Sequence, residues 1–402
     1  MLIRFEVSNF RSIHHPVELS MVAVDDDRRE ARHVPNLNLS LLPVAAVYGP
    51  NASGKSNVLA AMGWLRDAVR DSLRFWDDGI PLQPFAFAES EATTSEFTIE
   101  SAIDGVRFEY IVELDAKAVQ YEALFHYPEK KRRRLFEREG TALTLQRGLG
   151  SLSGTRELLT ERTLALSIAR RFEEPLVSGF SRELLGGETL GNQSLIRRPS
   201  HYPNWTRHWL DLPITAERAE ALAMLRMADL GIDDVMIDQH VGDDGSESRK
   251  VSLVHRTAKG RVPLDFADES EGTRTWFTMI GPILTTLRTG TLVIFDELDA
   301  SLHPTLSSQL IRLFHDPTTN PLGAQLIFSS HDTSLLNHLN RDEVWLTEKL
   351  EDGATRLGAL AEFAGERVRK SQNLEKAYLH GRFGALPDVD RTEMLRALGL
   401  IG

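Results

Sequence analysis

The chain has no cysteine. Disulfides, thiolate nucleophiles and cysteine-ligated zinc or iron–sulfur centres are therefore excluded. It also lacks any run of about 18 apolar residues, so no membrane-spanning helix is expected. The opening Met1-Leu2-Ile3-Arg4-Phe5-Glu6 is interrupted by charge before an apolar stretch can form, unlike a secretory signal. A cytoplasmic protein is the expectation. There is no surplus of cations: 46 Lys and Arg against 58 Asp and Glu leave a net charge of −12. Such a chain is no indiscriminate nucleic-acid binder, although a local basic patch can still meet phosphates. Internal repeats, low-complexity segments and sustained heptads are missing as well. What is present is ordinary for a globular protein: 42% hydrophobic and 26% charged residues over 402 positions. That length suffices for a large core in roughly two to three domain-sized units.

Two kinds of periodicity divide the chain. Leu2 to Val7 alternates apolar and charged residues, as a half-buried strand does. Pro43 to Tyr48 is a short apolar run, consistent with a strand buried on both faces. From Asn57 to about Ser72, Val58, Leu59, Met62, Leu65 and Val69 recur at helical spacing. Between Pro81 and Arg138 the period is closer to two. Phe97–Glu100 and Arg107–Val112 flank Asp104-Gly105, a strong hairpin signal, and a third strand is expected over Gln120–Tyr127. The stretch from 151 to 230 is mostly helical in pattern, clearest over Thr215–Leu230. Val235–His240 and Val251–His255 read as strands around the acidic turn Asp243-Asp244-Gly245. Beyond Asp268 a helix (Thr273–Leu287), a buried strand (Leu292–Phe295), a helix (Leu306–Phe314) and another buried strand (Gln325–Phe328) alternate. The expected fold is α/β, a mixed and mainly parallel sheet with a β-rich lobe and a helical insertion. The divisions expected are 1–150, 151–240 and 241–402.

Gly49-Pro50-Asn51-Ala52-Ser53-Gly54-Lys55-Ser56 fits the phosphate-loop pattern in full, between a buried strand and the helix that Asn57 continues. Its glycines let successive N–H groups converge on phosphate oxygens, and the helix directs its positive end at the same anion. Lys55 then bridges the β- and γ-phosphates, and the Ser56 hydroxyl ligates Mg²⁺. ATP and Mg²⁺ are the cofactors expected. The strand Leu292–Phe295 ends in Asp296 and Glu297. Adjacent acids at a strand end point to different sides, so Asp296 can serve the metal and Glu297 the attacking water.

These residues resemble a known family. Asp296-Glu297-Leu298-Asp299-Ala300-Ser301-Leu302-His303-Pro304 is similar to the Walker B and D-loop of ABC-type ATPases of the SMC, Rad50, RecF and OLD group. Phe328-Ser329-Ser330-His331 resembles their switch-histidine loop. Asp268-Glu269-Ser270-Glu271-Gly272-Thr273 stands where this group has its Leu-Ser-x-Gly signature, with Glu269 in the leucine's place. Ser8-Asn9-Phe10-Arg11-Ser12 is similar to the group's opening. Glu375 to Pro387 resembles a C-terminal feature of the AAA_15 and AAA_21 families.

The resemblance implies an ABC-type P-loop NTPase head. It implies a head-to-tail homodimer, or a larger assembly of dimers, in which Ser270 and Gly272 of one subunit meet the nucleotide held by Lys55 of the other. His331 then senses the γ-phosphate and orients the water near Glu297. ATP closes the dimer and hydrolysis opens it. Asn51 and Arg11 are implied on the nucleotide, and Gln83 is the candidate glutamine linking Mg²⁺ to the lobe. Between Ser56 and Asp268 there is room for a lobe and a compact insertion, not for a long coiled coil. The stretch after His331 is too short for the Toprim nuclease of OLD proteins. The implied role is an RloA-like ATPase acting with a separate effector, a nuclease or a toxin, in anti-phage or abortive-infection defence. Two alternatives stand beside it: an ATP-stabilised scaffold that hydrolyses slowly, and a RecF-like repair factor touching nucleic acid through Lys130-Lys131-Arg132-Arg133-Arg134. That basic run reads equally as a solvated hairpin end. His303 is expected to pack rather than bind metal. No G-x-S-x-G elbow accompanies Ser329, Ser330 and His331, which excludes acyl transfer.

Overall fold

The computed structural model describes residues 1–88, 94–190, 216–241, 247–364, 374–380 and 396. At its centre is a six-stranded sheet in the order Glu188–Leu190, Leu292–Phe295, Gln325–Ser329, Val44–Tyr48, Val344–Lys349, Thr355–Ala359. The first five strands are parallel and the last is antiparallel to its neighbour. Val44–Tyr48 is buried at every position, because both faces of the sheet are covered. Ala45 and Val47 join a core with Val58, Leu59 and Leu65 of the helix Lys55–Phe75. Val44, Ala46 and Tyr48 face the other way, onto Trp276 and Ile280 of the helix Glu271–Thr289 and Leu310 and Phe314 of Pro304–His315. Each such aliphatic or aromatic side chain contributes about 1.5–3 kcal/mol by leaving water. Parallel strands connected through helices put their C-terminal ends on one side, and that is where the phosphate loop and the paired acids emerge.

A second sheet of seven antiparallel strands forms the lobe, ordered Ala142–Leu145, Arg133–Glu139, Val119–His126, Val106–Leu114, Ser95–Ile103, Leu2–Ser8, Val17–Ser20. The Asp104-Gly105 hairpin is there, with φ of 50° and 75° at its two turn residues, as a primed two-residue turn requires. The segment after the lobe is fastened to it by a buried polar cluster. Glu122 and Arg138 are both inaccessible and 3.7 Å apart. Glu122 accepts N–H bonds from Ala165 and Leu166 at 2.6 and 2.8 Å, satisfying the start of the short helix Ala165–Ala169. Arg138 donates to the carbonyls of Thr163 and Gly140. Burial raises the carboxyl pKa of Glu122, an effect that Arg138 opposes.

A third sheet joins Ile232–Val241, Glu247–Thr257 and Gly260–Asp265. The helix Ala216–Ala228 packs beside it, through Ala221 and Leu225, on the core of Glu271–Thr289. Several strands escaped the sequence reading, among them the hairpin Val344–Lys349 and Thr355–Ala359 and two edge strands whose reasons are plain. Glu188–Leu190 is three residues long and owes its conformation to pairing at the sheet edge with Leu292–Phe295. Gly260–Asp265 is an exposed edge strand containing Pro263, so it shows neither burial alternation nor an uninterrupted donor row. The helices between 155 and 186 are short, except Pro175–Gly186. The C-terminal feature is described only through its helix Leu374–Leu379. Gly381 to Pro387, Asp388-Val389-Asp390 and the Asp243-Asp244-Gly245 turn lie outside the described residues. Among the described residues, no helix is long and apolar enough to cross a membrane.

Candidate functional site

The phosphate loop turns from the end of Val44–Tyr48 into the helix Lys55–Phe75. Two of its glycines are fixed by their neighbours. A Cβ on Gly49 would strike Thr347 and lie 2.8 Å from the Ser53 hydroxyl; one on Gly54 would strike Thr355 and approach Ser12. Gly54 also has a φ of 101°, where side chains are strained. The hydroxyls of Ser53 and Thr347 lie 2.5 Å apart. The hairpin Val344–Ala359 thus braces the loop from behind. Asn51 and Ala52 are exposed at its tip, and Ser56 and Asn57 are half-buried at the helix start. Lys55 is buried and donates from Nζ to the carbonyls of Gly49 and Pro50 at 2.9 and 3.1 Å. Burial lowers its pKa, opposed by the charges of Glu297, Asp296 and Asp299. The sequence-distant acids therefore sit in the field of this lysine.

Asp296 is buried and Glu297 exposed, the divergence expected of neighbours at a strand end. Glu297 has a φ of 57°, a costly conformation for a residue with a side chain. The Ser329 hydroxyl ties the two together: it donates to Asp296 Oδ1 at 2.7 Å and accepts the Glu297 N–H at 2.8 Å. His331 is exposed, and its N–H donates to Asp299 Oδ1 at 3.0 Å. The D-loop helix Leu298–Ser301 is thereby linked to the switch loop. His303 is exposed and caps the next helix, its Nδ1 accepting the Thr305 N–H at 3.2 Å. The Ser56 hydroxyl and the Asp296 carboxylate are hard oxygen donors, the chemistry Mg²⁺ prefers.

Arg11 and Gln83 come together. The Arg11 N–H donates to the Gln83 carbonyl at 2.7 Å, and its Nε to Gln83 Oε1 at 3.0 Å. A third contact runs from Arg11 to Asn57 Oδ1 at 3.4 Å, and Asn57 Nδ2 donates to Ser12 Oγ at 2.7 Å. Burial lowers the guanidinium pKa of Arg11, while the charge of Asp296 raises it. Arg11, Gln83, Asn57 and Asp296 therefore share one neighbourhood beside the phosphate loop.

Ser270 and Gly272 stand apart. Ser270 caps the helix Glu271–Thr289, accepting the Thr273 N–H at 3.1 Å, and is exposed. Among the described residues neither makes a hydrogen bond to the phosphate loop or the paired acids. Glu269, which replaces the signature leucine, is buried with its Oε1 2.6 Å from His255 Nε2; His255 Nδ1 is 3.7 Å from Asp229. This polar pair joins the three-stranded sheet to the residue before Ser270.

A family model described as "AAA domain, putative AbiEii toxin, Type IV TA system" (AAA_21) matches residues 44–337. The chain belongs to this AAA_21 family. Its solved structural neighbours include an Smc head bound to the C-winged helix domain of ScpA (TM-score 0.47, 13% identity, covering 89% of this chain and 97% of that one). Others are the SMC head domain from Thermotoga maritima (0.43, 12%, 89% and 98%) and an Smc head with an extended coiled coil bound to the C-terminal domain of ScpA derived from Pyrococcus furiosus (0.44, 13%, 90% and 97%). No curated protein matches the sequence.

The AAA_21 match begins at the phosphate-loop strand and ends past the switch loop, so it spans the paired acids too. Sequence reasoning missed the bracing residues Thr347 and Thr355, which carry no motif of their own, and had Ser12 only as the last residue of the opening Ser8–Ser12. Ser329 was visible only as the residue two before His331. In the basic run, Arg132 stacks on Phe125 at 3.6 Å and pairs with Glu109 at 3.0 Å, and Arg134 pairs with Glu137 at 2.5 Å.

Proposed function

We propose that this protein is a Mg²⁺-dependent ATPase of the ABC type that works as a nucleotide-driven dimeric switch. The observation that carries the reading is the division of the site. Lys55, Ser56, Asp296 and Glu297 converge at one place, while Ser270 is displayed outward at a helix start. A helix N-terminus with an exposed serine suits an anion brought by a second copy. In this reading Lys55 and the loop N–H groups bind the phosphates, and Ser56 and Asp296 hold Mg²⁺, which when bound neutralises phosphate charge. Glu297 accepts the proton of the attacking water as oxygen bonds to the γ-phosphorus and the bond to ADP breaks. The hydrogen bond of Ser329 to Asp296 and its acceptance of the Glu297 N–H keep the two acids apart in role. His331 orients the water side, with Ser270 of the second copy on the opposite side of the phosphate. ATP favours the closed dimer only through contacts that hydrolysis removes.

The family's description as a putative AbiEii toxin of a Type IV TA system supports a toxin–antitoxin context for this reading, and the separate effector is part of the proposal. The nucleic-acid alternative loses support where Arg132 and Arg134 are already ion-paired.

Light scattering of Glu297→Gln with and without Mg-ATP tests the reading. The expected result is a doubling of mass, or a larger step built on dimers, with ATP. An unchanged mass, together with normal hydrolysis by Ser270→Arg, would overturn the shared site.

A further inference from the structure

Outside the nucleotide site, His14, His15 and Asp352 each offer a ligand atom, and these atoms all lie within 4.8 Å of one another. They come from two distant parts of the chain. The histidines follow the Arg11-Ser12 turn, and Asp352 sits at the tip of the hairpin Val344–Ala359. We infer that His14, His15 and Asp352 form a binding site for a borderline divalent transition-metal ion of the Zn²⁺ class, clamping the N-terminal turn to this hairpin.

The donor set is that of a transition metal rather than Mg²⁺: two imidazoles and one carboxylate, with positions left for water. Its parts are held from outside. The His14 ring stacks on Phe85 with centroids 4.6 Å apart and planes at 9°, which holds it; His15 lies stacked on His14 at 4.4 Å and 26°, so its ring has to turn out of that stack to share an ion in its own plane. His14 Nδ1 is shielded from solvent yet has no hydrogen-bond partner among the described residues. One carboxylate oxygen of Asp352 takes the Ala354 N–H at 2.9 Å, which orients the carboxylate in the way outer-shell contacts orient ligands. Tetrahedral Zn²⁺ with ligands near 2.0–2.1 Å needs donor atoms about 3.3 Å apart. The remaining contraction falls on His15 and Asp352, both exposed and free of the core.

The position gives the clamp a consequence. Thr347 and Thr355 of the same hairpin brace Gly49 and Gly54, and Ser12, two residues before His14, accepts the Thr355 N–H at 2.7 Å and faces the Thr355 hydroxyl at 2.7 Å. Phe85 and Phe87 extend the same contact, Phe87 lying where a Cβ on Gly353 would be 3.1 Å away. A metal here would stiffen the backing of the phosphate loop without touching nucleotide.

The test is calorimetric titration of ZnCl2 into the full chain, without nucleotide, beside His15→Ala and Asp352→Ala. The expected result is one equivalent bound by the wild type, weakened at least tenfold in each variant, and a Zn²⁺-dependent rise of melting temperature that both variants lose. Both substitutions are at exposed positions, and circular dichroism melts without metal report whether folding is kept. Should His15→Ala fold poorly, His15→Gln is read in its place. A wild type that binds no Zn²⁺, or either folded variant binding it as the wild type does, would overturn the site. Neither outcome bears on the ATPase reading, which rests on Lys55 and Glu297.

Discussion

The phosphate loop and the signature turn belong to one proposed chemistry, yet the chain treats them in opposite ways. At the loop every constraint is internal. Lys55 and Asp296 are buried, Gly49 and Gly54 leave no space for a side chain, and a hairpin from far along the sequence stands behind them. At the signature the constraint is a local helix cap, Ser270 accepting the Thr273 N–H. Ser270 is exposed, and a Cβ on Gly272 would find nothing within 4 Å. One half is finished by this chain's own folding; in the other the serine caps a helix and the glycine is one that the fold does not need. The difference separates residues that folding requires from those that only a second surface would require.

Removing charge from the enclosed half should have the largest effect. Lys55→Ala should weaken ATP binding by about 100-fold, near 2.7 kcal/mol, measured by calorimetry, while the melting temperature stays close to wild type. Retained affinity would break the comparison at its stronger end. Next in size is Gly54→Ala. The added methyl meets Thr355 and Ser12 at a φ of 101°. Overpacking of this kind costs about 1–3 kcal/mol, read as a lower denaturation midpoint in urea. An unshifted midpoint would mean that the hairpin does not brace the loop.

The sequence made the enclosed half legible because its chemistry is local. Eight consecutive residues specify the loop, and an apolar strand ending in two acids specifies Asp296 and Glu297. Arg11 and Gln83, assigned separately in the sequence, are hydrogen-bonded to each other. What was hidden is what long-range packing supplies. Thr347 and Thr355 are unremarkable strand residues until Gly49 and Gly54 are placed against them. Glu188–Leu190 has no pattern of its own and becomes a strand by hydrogen bonding to a neighbour. Glu269 looked like a departure from the signature. Its partner His255 lies on the strand Glu247–Thr257, and no periodicity connects the two.

That pair gives a smaller test. Glu269→Leu restores the usual signature residue but leaves the His255 Nε2 without its carboxylate. A loss of about 1.5–3 kcal/mol is expected for a largely buried hydrogen bond to a charged group. Urea denaturation of Glu269→Leu and His255→Leu, alone and combined, measures it. Losses that simply add would show that the two side chains are not coupled.

The smallest structural effect should come from Gly272→Ala, and it discriminates most. Gly272 lies in the first turn of a helix, has no left-handed φ and has open space beside it. Within this chain alanine is the better residue there, so stability should be unchanged or rise by up to about 1 kcal/mol. If a second copy packs its nucleotide against that turn, the methyl stands in the contact. Hydrolysis at saturating ATP should then fall at least tenfold while ATP binding per subunit is kept. A variant that is as stable and as active as the wild type would mean that the open space at Gly272 is not reserved for anything. The signature turn would then be a helix start like any other, and the site would be complete in one chain.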